Sequence, residues 1–360
     1  MAFLRRLTGI PVVARIPIVA LALVLAGCAQ TQTQTQFRSD AELVTEDFIV
    51  PAADPGIQIH VRNKRPADLN RFTPGNIILF VHGATTPPEA GFDLRLDGLS
   101  WMEWMARQGN DVYFVSLRGY GRSTRPKELD APPMSNSPVV RLPQATSDVN
   151  TAVDFIRKRR GVDKISLLGH SWGTTITAAY TAQNNAKVHR LALFAPQWIR
   201  TQGQSSVDAG GPLGAYRIVT EDGVRKRRAA GQKPGALEGR MPAHWFDAYM
   251  EAALASDPWS KTQNPRAFRA PNGVLLDGRE YFDAGRPIYD PANIRVPTLI
   301  FIGEQDNDTP LYMAQTLFPL LVNAPSKRMV VLGDASHVVL TEKNRMQLFR
   351  EVQLFFDEGR

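Results

Sequence analysis

The sequence predicts an α/β fold in which a mostly parallel sheet is flanked by helices. Short continuous apolar runs occur at 76–81, 111–117, 165–168 and 298–302, and such runs are typical of strands that are buried on both faces, as in parallel sheets covered by helices. Segments that suit helices lie between them. Of the 360 residues, 43% are hydrophobic and 21% are charged. This composition predicts a globular protein with one large domain and insertions.

Residues 1–27 are predicted to be a lipoprotein signal peptide. They contain arginines, no acidic residue, and an apolar run over 16–26 that is too short to span a bilayer comfortably. The segment ends in Leu-Ala-Gly before Cys28, which resembles the bacterial lipobox. That resemblance implies cleavage before Cys28 and lipidation of its thiol, and the alternative is an ordinary secreted protein. Arg5 and Arg6 form a weak twin-arginine signal, so export by the Tat and Sec routes both stay open.

Residues 28–40 are expected to form a flexible tether. Thr and Gln alternate from Gln30 to Gln36, which leaves no apolar side chain to bury. Cys28 is the only cysteine, so no disulfide can form within the chain. Ala29 stands where lipoproteins similar to this leader often carry an aspartate that retains them at the inner membrane. We therefore expect a lipid-anchored protein of the bacterial envelope at the outer membrane, with a periplasmic or secreted protein as the alternative.

The folded core is predicted to comprise residues 41–195 and 288–360. An early hairpin is expected from alternating apolar residues on either side of a Pro-containing turn. Later strands are predicted at 188–195 and 328–332 in addition to the four apolar runs. Helices are predicted at 99–107, 147–160, 174–182 and 341–356.

Residues 196–287 are predicted to be an inserted, mainly helical cap. Periodicity weakens there, and aromatic residues are scattered among glycines and charges. We expect these aromatic residues partly to form a small core of the cap and partly to line an apolar cleft. Trp198, which directly follows a predicted strand, is the candidate for facing the site.

The charge pattern does not predict nucleic-acid binding. The net charge is +7, of which the leader supplies three positive charges. Basic clusters at 157–160 and 225–228 lack interleaved aromatic residues or a nucleic-acid motif. Solvated surfaces are the expected interpretation of both clusters.

The chemistry is predicted to centre on Ser171. It lies in a Gly-x-Ser-x-Gly sequence, between the apolar run 165–168 and a helix-compatible segment of small residues. A strand that turns sharply into a helix forces the serine into a strained conformation and projects its hydroxyl above the sheet. Gly169 and Gly173 are needed because a side chain at either position would collide with the neighbouring strand or helix. The motif alone also occurs by chance, so the context decides its meaning.

Together with this context, the chain resembles the α/β-hydrolase superfamily over roughly residues 46–356. In that family a nucleophile elbow, an acid after a late strand and a histidine after the last strand occur in this chain order. The resemblance implies Ser171 as nucleophile, Asp306 as acid and His337 as base. It rests on His82-Gly83, Arg118-Gly119-Tyr120-Gly121-Arg122-Ser123, Gly169-His170-Ser171-Trp172-Gly173, Gly303-Glu304-Gln305-Asp306 and Ser336-His337.

Each role has a chemical reason. A serine hydroxyl needs a base within hydrogen-bonding reach to take its proton during attack on a carbonyl. An acid must hold the imidazole of His337 in one tautomer and stabilise its charged form. Asp308 is the close competitor of Asp306 for this position, and Glu304 is a distant one. The family pattern, with the acid four residues before Pro310, favours Asp306.

The resemblance also implies an oxyanion hole. Two rigid backbone donors are needed, and the N–H groups of Ala84 and Trp172 are the candidates. His82 is interpreted as a residue that stabilises its loop. No metal or organic cofactor is implied.

The predicted function is that of a carboxylesterase acting on small to medium, apolar or aromatic esters. Proline iminopeptidases and carbon–carbon bond hydrolases also use serine, and a tryptophan after the nucleophile is common in the peptidases. Their elbow usually carries glycine where His170 stands, and their oxyanion loop usually reads His-Gly-Gly-Pro. A surface-anchored binding protein without catalysis is the alternative that is not an enzyme.

Overall fold

The computed structural model describes Arg38, residues 40–203, residues 205–358 and Arg360. The predicted signal peptide, Cys28 and nearly all of the predicted tether lie outside the described residues. Within the described part, no helix is long and apolar enough to cross a membrane.

Ten strands occur in the described residues. They are β1 (Leu43–Pro51), β2 (Gln58–Pro66), β3 (Ile77–Val81), β4 (Asp111–Ser116), β5 (Ile165–His170), β6 (Val188–Phe194), β7 (Tyr216–Thr220), β8 (Ala267–Pro271), β9 (Thr298–Gly303) and β10 (Lys327–Leu332). Within this part of the chain, eight of them form one sheet in the order β1-β2-β4-β3-β5-β6-β9-β10. The pairs β1–β2 and β2–β4 are antiparallel, and the remaining pairs are parallel. The predicted mostly parallel sheet is therefore confirmed.

Ten α-helices occur among the described residues. They are α1 (Pro88–Gly91), α2 (Trp101–Arg107), α3 (Leu142–Arg160), α4 (Trp172–Gln183), α5 (Glu221–Ala229), α6 (Ala236–Arg240), α7 (Ala243–Ala255), α8 (Gly273–Asp277), α9 (Leu311–Leu317) and α10 (Arg345–Asp357). Helix α3 packs against α4, and α2 packs against α10. The rings of Trp101 and Phe349 stack with their centroids 5.0 Å apart. Strands β3 and β4 are buried along their whole length, as expected for strands with helices on both faces.

Helix α3 begins earlier than the sequence analysis expected. The prediction started this helix at residue 147, whereas the helix starts at Leu142. Pro143 lies in the first turn, where its missing N–H has no intrahelical partner to lose. Residues 126–143 contain five prolines, which are typical of an irregular connection and obscured the start of the helix in the sequence.

The segment between β6 and β9 is mainly helical, as predicted for the cap. It contains α5, α6, α7 and α8, and it also contains an antiparallel pair, β7 and β8, that the sequence analysis did not predict. Phe246, Tyr249 and Met250 of α7 form a separate apolar cluster with Phe268. The limits of 196 and 287 for the cap stay a prediction.

The expected position of Trp198 is wrong. Its ring is 3% exposed and packs against Phe282 and Tyr289, with ring centroids 6.3 and 5.3 Å away. It belongs to the main core. The strand before Trp198 ends in the core, and the Trp198 side chain packs onto that core and does not line the cavity that contains Ser171 and His337.

The expectation that both basic clusters are solvated is correct for Lys158 and Lys226, which are exposed, and wrong for other members. Arg160 forms an ion pair with the buried Asp111 at 2.7 Å, and Arg159 lies over the ring of Phe48. In the second cluster, Arg228 is only 8% exposed. Long aliphatic stems allow arginines in a helix to bury much of their length, so a run of basic residues does not by itself mark a solvated surface.

Candidate active site

Ser171 lies at a sharp turn between β5 and α4. Its backbone has φ 55° and ψ −122°, a conformation that is strained for a residue with a side chain. A Cβ atom on Gly169 would lie 2.3 Å from the carbonyl oxygen of Gly173, and one on Gly173 would lie 2.2 Å from that of Val81. Both glycines are therefore required by close backbone contacts, which is the geometry that the sequence predicted for this turn.

His337 and Asp306 are in direct contact. Asp306 Oδ2 lies 2.8 Å from His337 Nδ1. The Asp306 carboxylate also accepts hydrogen bonds from the Thr309 hydroxyl at 2.9 Å and from the backbone N–H groups of Asp308 and Thr309. These bonds fix the carboxylate so that it holds the imidazole in one tautomer. Thr309 was not singled out in the sequence, and only its position three residues after the acid marks it.

Neither of the two competing carboxylates, Asp308 and Glu304, contacts Nδ1 of His337. Asp308 Oδ2 is 3.7 Å from His337 Nε2, on the ring nitrogen opposite Asp306, and it accepts a hydrogen bond from the Ser206 hydroxyl. Glu304 is exposed. Asp306 is therefore the carboxylate in the position of a triad acid.

The serine and the imidazole line one cavity. Among the hydrogen bonds of the described residues, none joins Ser171 Oγ to His337 Nε2. Catalytic hydrogen bonds are often long or poorly aligned without substrate and shorten when substrate binds. The predicted nucleophile Ser171 and the predicted base His337 therefore line the same cavity, but no hydrogen bond among the described residues joins them.

The environment of His337 favours its protonated form. Burial lowers the pKa of His337, but the charges of Asp306 and Asp308, together with the hydrogen bond to Asp306, raise it by more. The net pKa lies above the ordinary value of 6.5. A base in this setting accepts a proton readily.

His170 contacts the backbone of His337, the predicted base. Its Nε2 donates a hydrogen bond to the carbonyl oxygen of His337 at 3.0 Å, and its ring stacks on Phe194 with centroids 4.5 Å apart. Burial, reinforced by the charge of His337, lowers the pKa of His170 to about 3. His170 is therefore a neutral donor at physiological pH, and no sequence motif predicts this contact.

The loop after β3 lies against the serine. A Cβ atom on Gly83 would lie 2.9 Å from the Cβ of Ser171. The carbonyl oxygen of Ala84 accepts hydrogen bonds from the Tyr120 hydroxyl and from Nη2 of Arg217, each at 2.7 Å. These bonds hold the Ala84–Thr85 peptide group, which directly follows the peptide group that carries the N–H of Ala84.

Trp172 supplies the other candidate donor. It is the first residue of α4, and the first N–H groups of a helix have no intrahelical acceptor. The structure therefore brings both predicted oxyanion donors, Ala84 and Trp172, to the neighbourhood of Ser171.

His82 has the structural role that the sequence analysis expected. Its Nε2 accepts a hydrogen bond from the N–H of Leu117 at 3.1 Å, so its Nδ1 carries the proton and donates to the carbonyl oxygen of Gly83 at 2.8 Å. Burial lowers the pKa of His82 to about 4. The neutral imidazole of His82 therefore links the loop of the predicted oxyanion donor Ala84 to Leu117, which directly follows β4.

The inserted segment completes the walls of the cavity. Tyr249 of α7 and Arg227 of α5 line it together with Gln197. These three residues were missed in the sequence analysis, because only the packing of the insertion on the sheet brings them to the site. The basic run at 225–228 was a signal, but it was interpreted as solvated surface.

Comparison with known proteins agrees with this geometry. Residues 76–344 match the family model of the alpha/beta hydrolase fold. The chain belongs to the α/β-hydrolase family. Its fold resembles the crystal structure of a membrane phospholipase A described as a bacterial virulence factor, with a TM-score of 0.58, 19% identity, and coverage of 88% of this chain and 87% of that one.

Two curated relatives of this α/β-hydrolase match over shorter stretches. A 1-acylglycerol-3-phosphate O-acyltransferase of Sus scrofa is 34% identical over 131 residues, which is 31% of this chain and 34% of the relative. A proline iminopeptidase of Xanthomonas citri is 28% identical over 102 residues, which is 26% of this chain and 29% of the relative. The chain therefore spans about a third of the length of these relatives.

Proposed function

We propose that this α/β-hydrolase cleaves carboxylic esters through an acyl-enzyme on Ser171. The observation that carries the proposal is the hydrogen bond between Asp306 and His337 Nδ1, in a cavity that also exposes the serine at its strained turn. This set of groups suits nucleophilic attack on a carbonyl carbon.

In the first half of the reaction, Ser171 Oγ forms a bond to the ester carbonyl carbon while His337 Nε2 takes the hydroxyl proton. The carbonyl oxygen becomes an oxyanion, which the N–H groups of Ala84 and Trp172 stabilise. His337 then gives its proton to the departing alkoxide, and the carbon–oxygen bond of the ester breaks. Water repeats the sequence on the acyl-enzyme, so that a carboxylic acid leaves and Ser171 regains its proton.

Hydrolysis of a panel of 4-nitrophenyl esters by the purified full chain tests this proposal. We expect release of nitrophenolate and labelling of Ser171 by a fluorophosphonate, and we expect neither with Ser171→Ala. A wild-type chain that neither cleaves esters nor reacts with the fluorophosphonate would contradict the proposal and favour a binding protein.

A proline iminopeptidase activity is the second candidate, and the local match to such an enzyme favours it. An aminopeptidase must bind the positively charged amino group of its substrate. Asp308 is the acidic residue in the cavity lining that faces the substrate side of His337, and Arg227 lines the same cavity. The cation opposes binding of an ammonium group, so we expect prolyl-4-nitroanilide to be cleaved far more slowly than the esters.

We also propose that Cys28 carries a lipid anchor at the outer membrane. The proposal rests on the apolar run that ends at Cys28 and on the polar residues that follow it. One acyl chain binds membranes only marginally, so stable anchoring requires further acylation of the new N-terminus.

A further inference from the structure

Arg228 is a buried cation without a compensating carboxylate. Arg228 is 8% exposed, and its side-chain Nε and Nη2 atoms are buried without a hydrogen-bond partner among the described residues. Within the same part of the chain, neither Arg227 nor Arg228 forms an ion pair. Buried charges in proteins are normally paired and hydrogen-bonded, so this guanidinium has capacity for an anionic partner.

The protein contacts of Arg228 are weak ones. Its Nη1 lies 2.8 Å from the thioether sulfur of Met241, and its guanidinium lies 3.9 Å from the centroid of the Tyr249 ring. A thioether is a weak acceptor. A cation above an aromatic ring gains some stabilisation, but the edge of the guanidinium that carries Nη2 stays without an acceptor.

The guanidinium lies beside the catalytic cavity. Arg228 lines a small cavity with Gly83 of the oxyanion loop and with His170 of the elbow. Arg227 lines the adjoining cavity that contains Ser171 and His337. Both cavities share the walls formed by Gly83, Thr86, His170, Tyr249 and Val338. Arg228 and Arg227 therefore lie on opposite sides of these shared residues, close to Ser171 and His337.

The balance of charge in these two cavities is positive. Asp308 is the one carboxylate among their lining residues. Although burial raises the pKa of Asp308, Arg227, His337, the Ser206 hydroxyl and Arg228 together lower it below its usual value. The carboxylate is thus ionised and offsets one of the two arginines. His82 and His170 are neutral, so the lining residues alone carry one positive charge when His337 is unprotonated, and Asp306, which is bonded to His337, is not among them.

We propose that Arg228, assisted by Arg227, binds an oxyanion group of the substrate, so that the preferred substrates are esters that carry a carboxylate or a phosphate. The inference rests on the proposed ester hydrolysis and names the substrate class of that same site. Pro87, Phe92 and Leu340 line the Arg228 cavity as well.

A matched pair of substrates tests the proposal. The purified full chain is assayed with 4-nitrophenyl hydrogen glutarate, which has an anionic acyl group, and with the neutral 4-nitrophenyl hexanoate. The readout is the ratio of kcat/KM for the anionic ester to that for the neutral ester. Arg228→Met should lower this ratio by about 10- to 100-fold, the range typical for loss of a hydrogen bond to a charged group, and Arg228→Lys should restore part of it.

Arg225→Met is the control. Arg225 lies on the same helix and over the ring of Phe246 at 4.0 Å, but its side chain is 43% exposed, forms an ion pair with Glu221 and does not line either cavity. The change in net charge is the same, so an effect of overall charge would appear in both variants. We expect the ratio for Arg225→Met to match that of the wild type.

Inhibition of the wild type is a second measurement, which remains informative if Arg228→Met does not fold. Hydrolysis of the neutral ester is measured with sodium glutarate or inorganic phosphate at constant ionic strength. Competitive inhibition by glutarate supports a carboxylate as the ligand, and inhibition by phosphate supports a phosphate group. Inhibition by neither anion would contradict the proposal.

The outcomes separate this inference from the proposed function. A wild type that cleaves the neutral ester, with a ratio that a folded Arg228→Met does not change, would overturn the anion subsite and leave the esterase in place. A wild type that cleaves neither ester and does not react with a fluorophosphonate would overturn both.

Discussion

Asp308 Oδ2 lies 3.7 Å from Nε2 of His337, whereas Asp306 Oδ2 lies 2.8 Å from Nδ1 of the same ring. The imidazole thus has a carboxylate beside each nitrogen. Asp306 orients the ring through Nδ1, and Asp308 lies beside Nε2, the nitrogen that must take the proton of Ser171. Both charges stabilise the imidazolium form, with consequences for the dependence of the reaction on pH.

The acid limb of the pH profile should lie above pH 6.5. A general base works in its neutral form, and the pKa of His337 is raised above 6.5 by its two carboxylates despite its burial. The value of kcat/KM should therefore fall as the pH drops through that raised pKa. Asp308→Asn removes one of the charges, lowers the pKa and should move the limb to lower pH. The exposed Glu304→Gln is the control, and a limb that Asp308→Asn leaves in place would contradict this account.

Asp306→Asn should reduce kcat by about 10⁴-fold, the loss seen when the triad acid is replaced by its amide. The amide of the variant presents the wrong hydrogen-bonding partner to Nδ1 and cannot stabilise the imidazolium. Asp308→Asn should reduce kcat far less, because it does not contact Nδ1. Steady-state kinetics of both variants decide the assignment, and reversed effects would move the acid to Asp308.

Ser171→Ala should abolish ester hydrolysis, with a loss of at least about 10³-fold. The melting temperature should change little, because the substitution removes one hydroxyl that forms no hydrogen bond with His337. Kinetics, thermal unfolding and fluorophosphonate labelling are measured on the same preparation. Turnover that persists in a folded variant would show that another group is the nucleophile.

Gly173→Ala should destabilise the fold as well as the activity. Its Cβ would meet the backbone oxygen of Val81 at 2.2 Å, and forced overpacking of this kind typically costs about 1–3 kcal/mol. Gly239→Ala is the matched control, because Gly239 is an exposed residue of α6 with no atom within 4 Å of an added Cβ. A lower melting temperature is expected for the first variant only. Equal melting temperatures would show that the elbow has room for a side chain.

Cys28→Ser should prevent lipid attachment. The thioether of the anchor requires the thiol, so the variant is expected in the soluble fraction if its leader is processed at another position. Membrane fractionation and mass spectrometry of the mature N-terminus provide the readout. Wild-type protein that is soluble, with Cys28 unmodified or absent, would indicate a simple secreted hydrolase.

The sequence by itself determined the fold class and the turn at Ser171. Continuous apolar runs report burial on both faces of a strand, which is a local property of the chain. The spacing of Gly169 and Gly173 about the serine is also local, since it reflects backbone contacts within one strand, turn and helix. Asp306 and His337 could be nominated because each follows a strand.

Which side chains from distant segments of the chain contact each other was decided only by the tertiary structure. Asp306 and Asp308 are two residues apart, and which of them meets Nδ1 is set by the packing of their loop against the loop that carries His337. Trp198 and Arg228 were placed wrongly for the same reason. Composition and spacing do not reveal that the side chain of Trp198 packs in the core. They also do not reveal that Arg228, within a run of basic residues, is buried beside the cavity of Ser171 and His337.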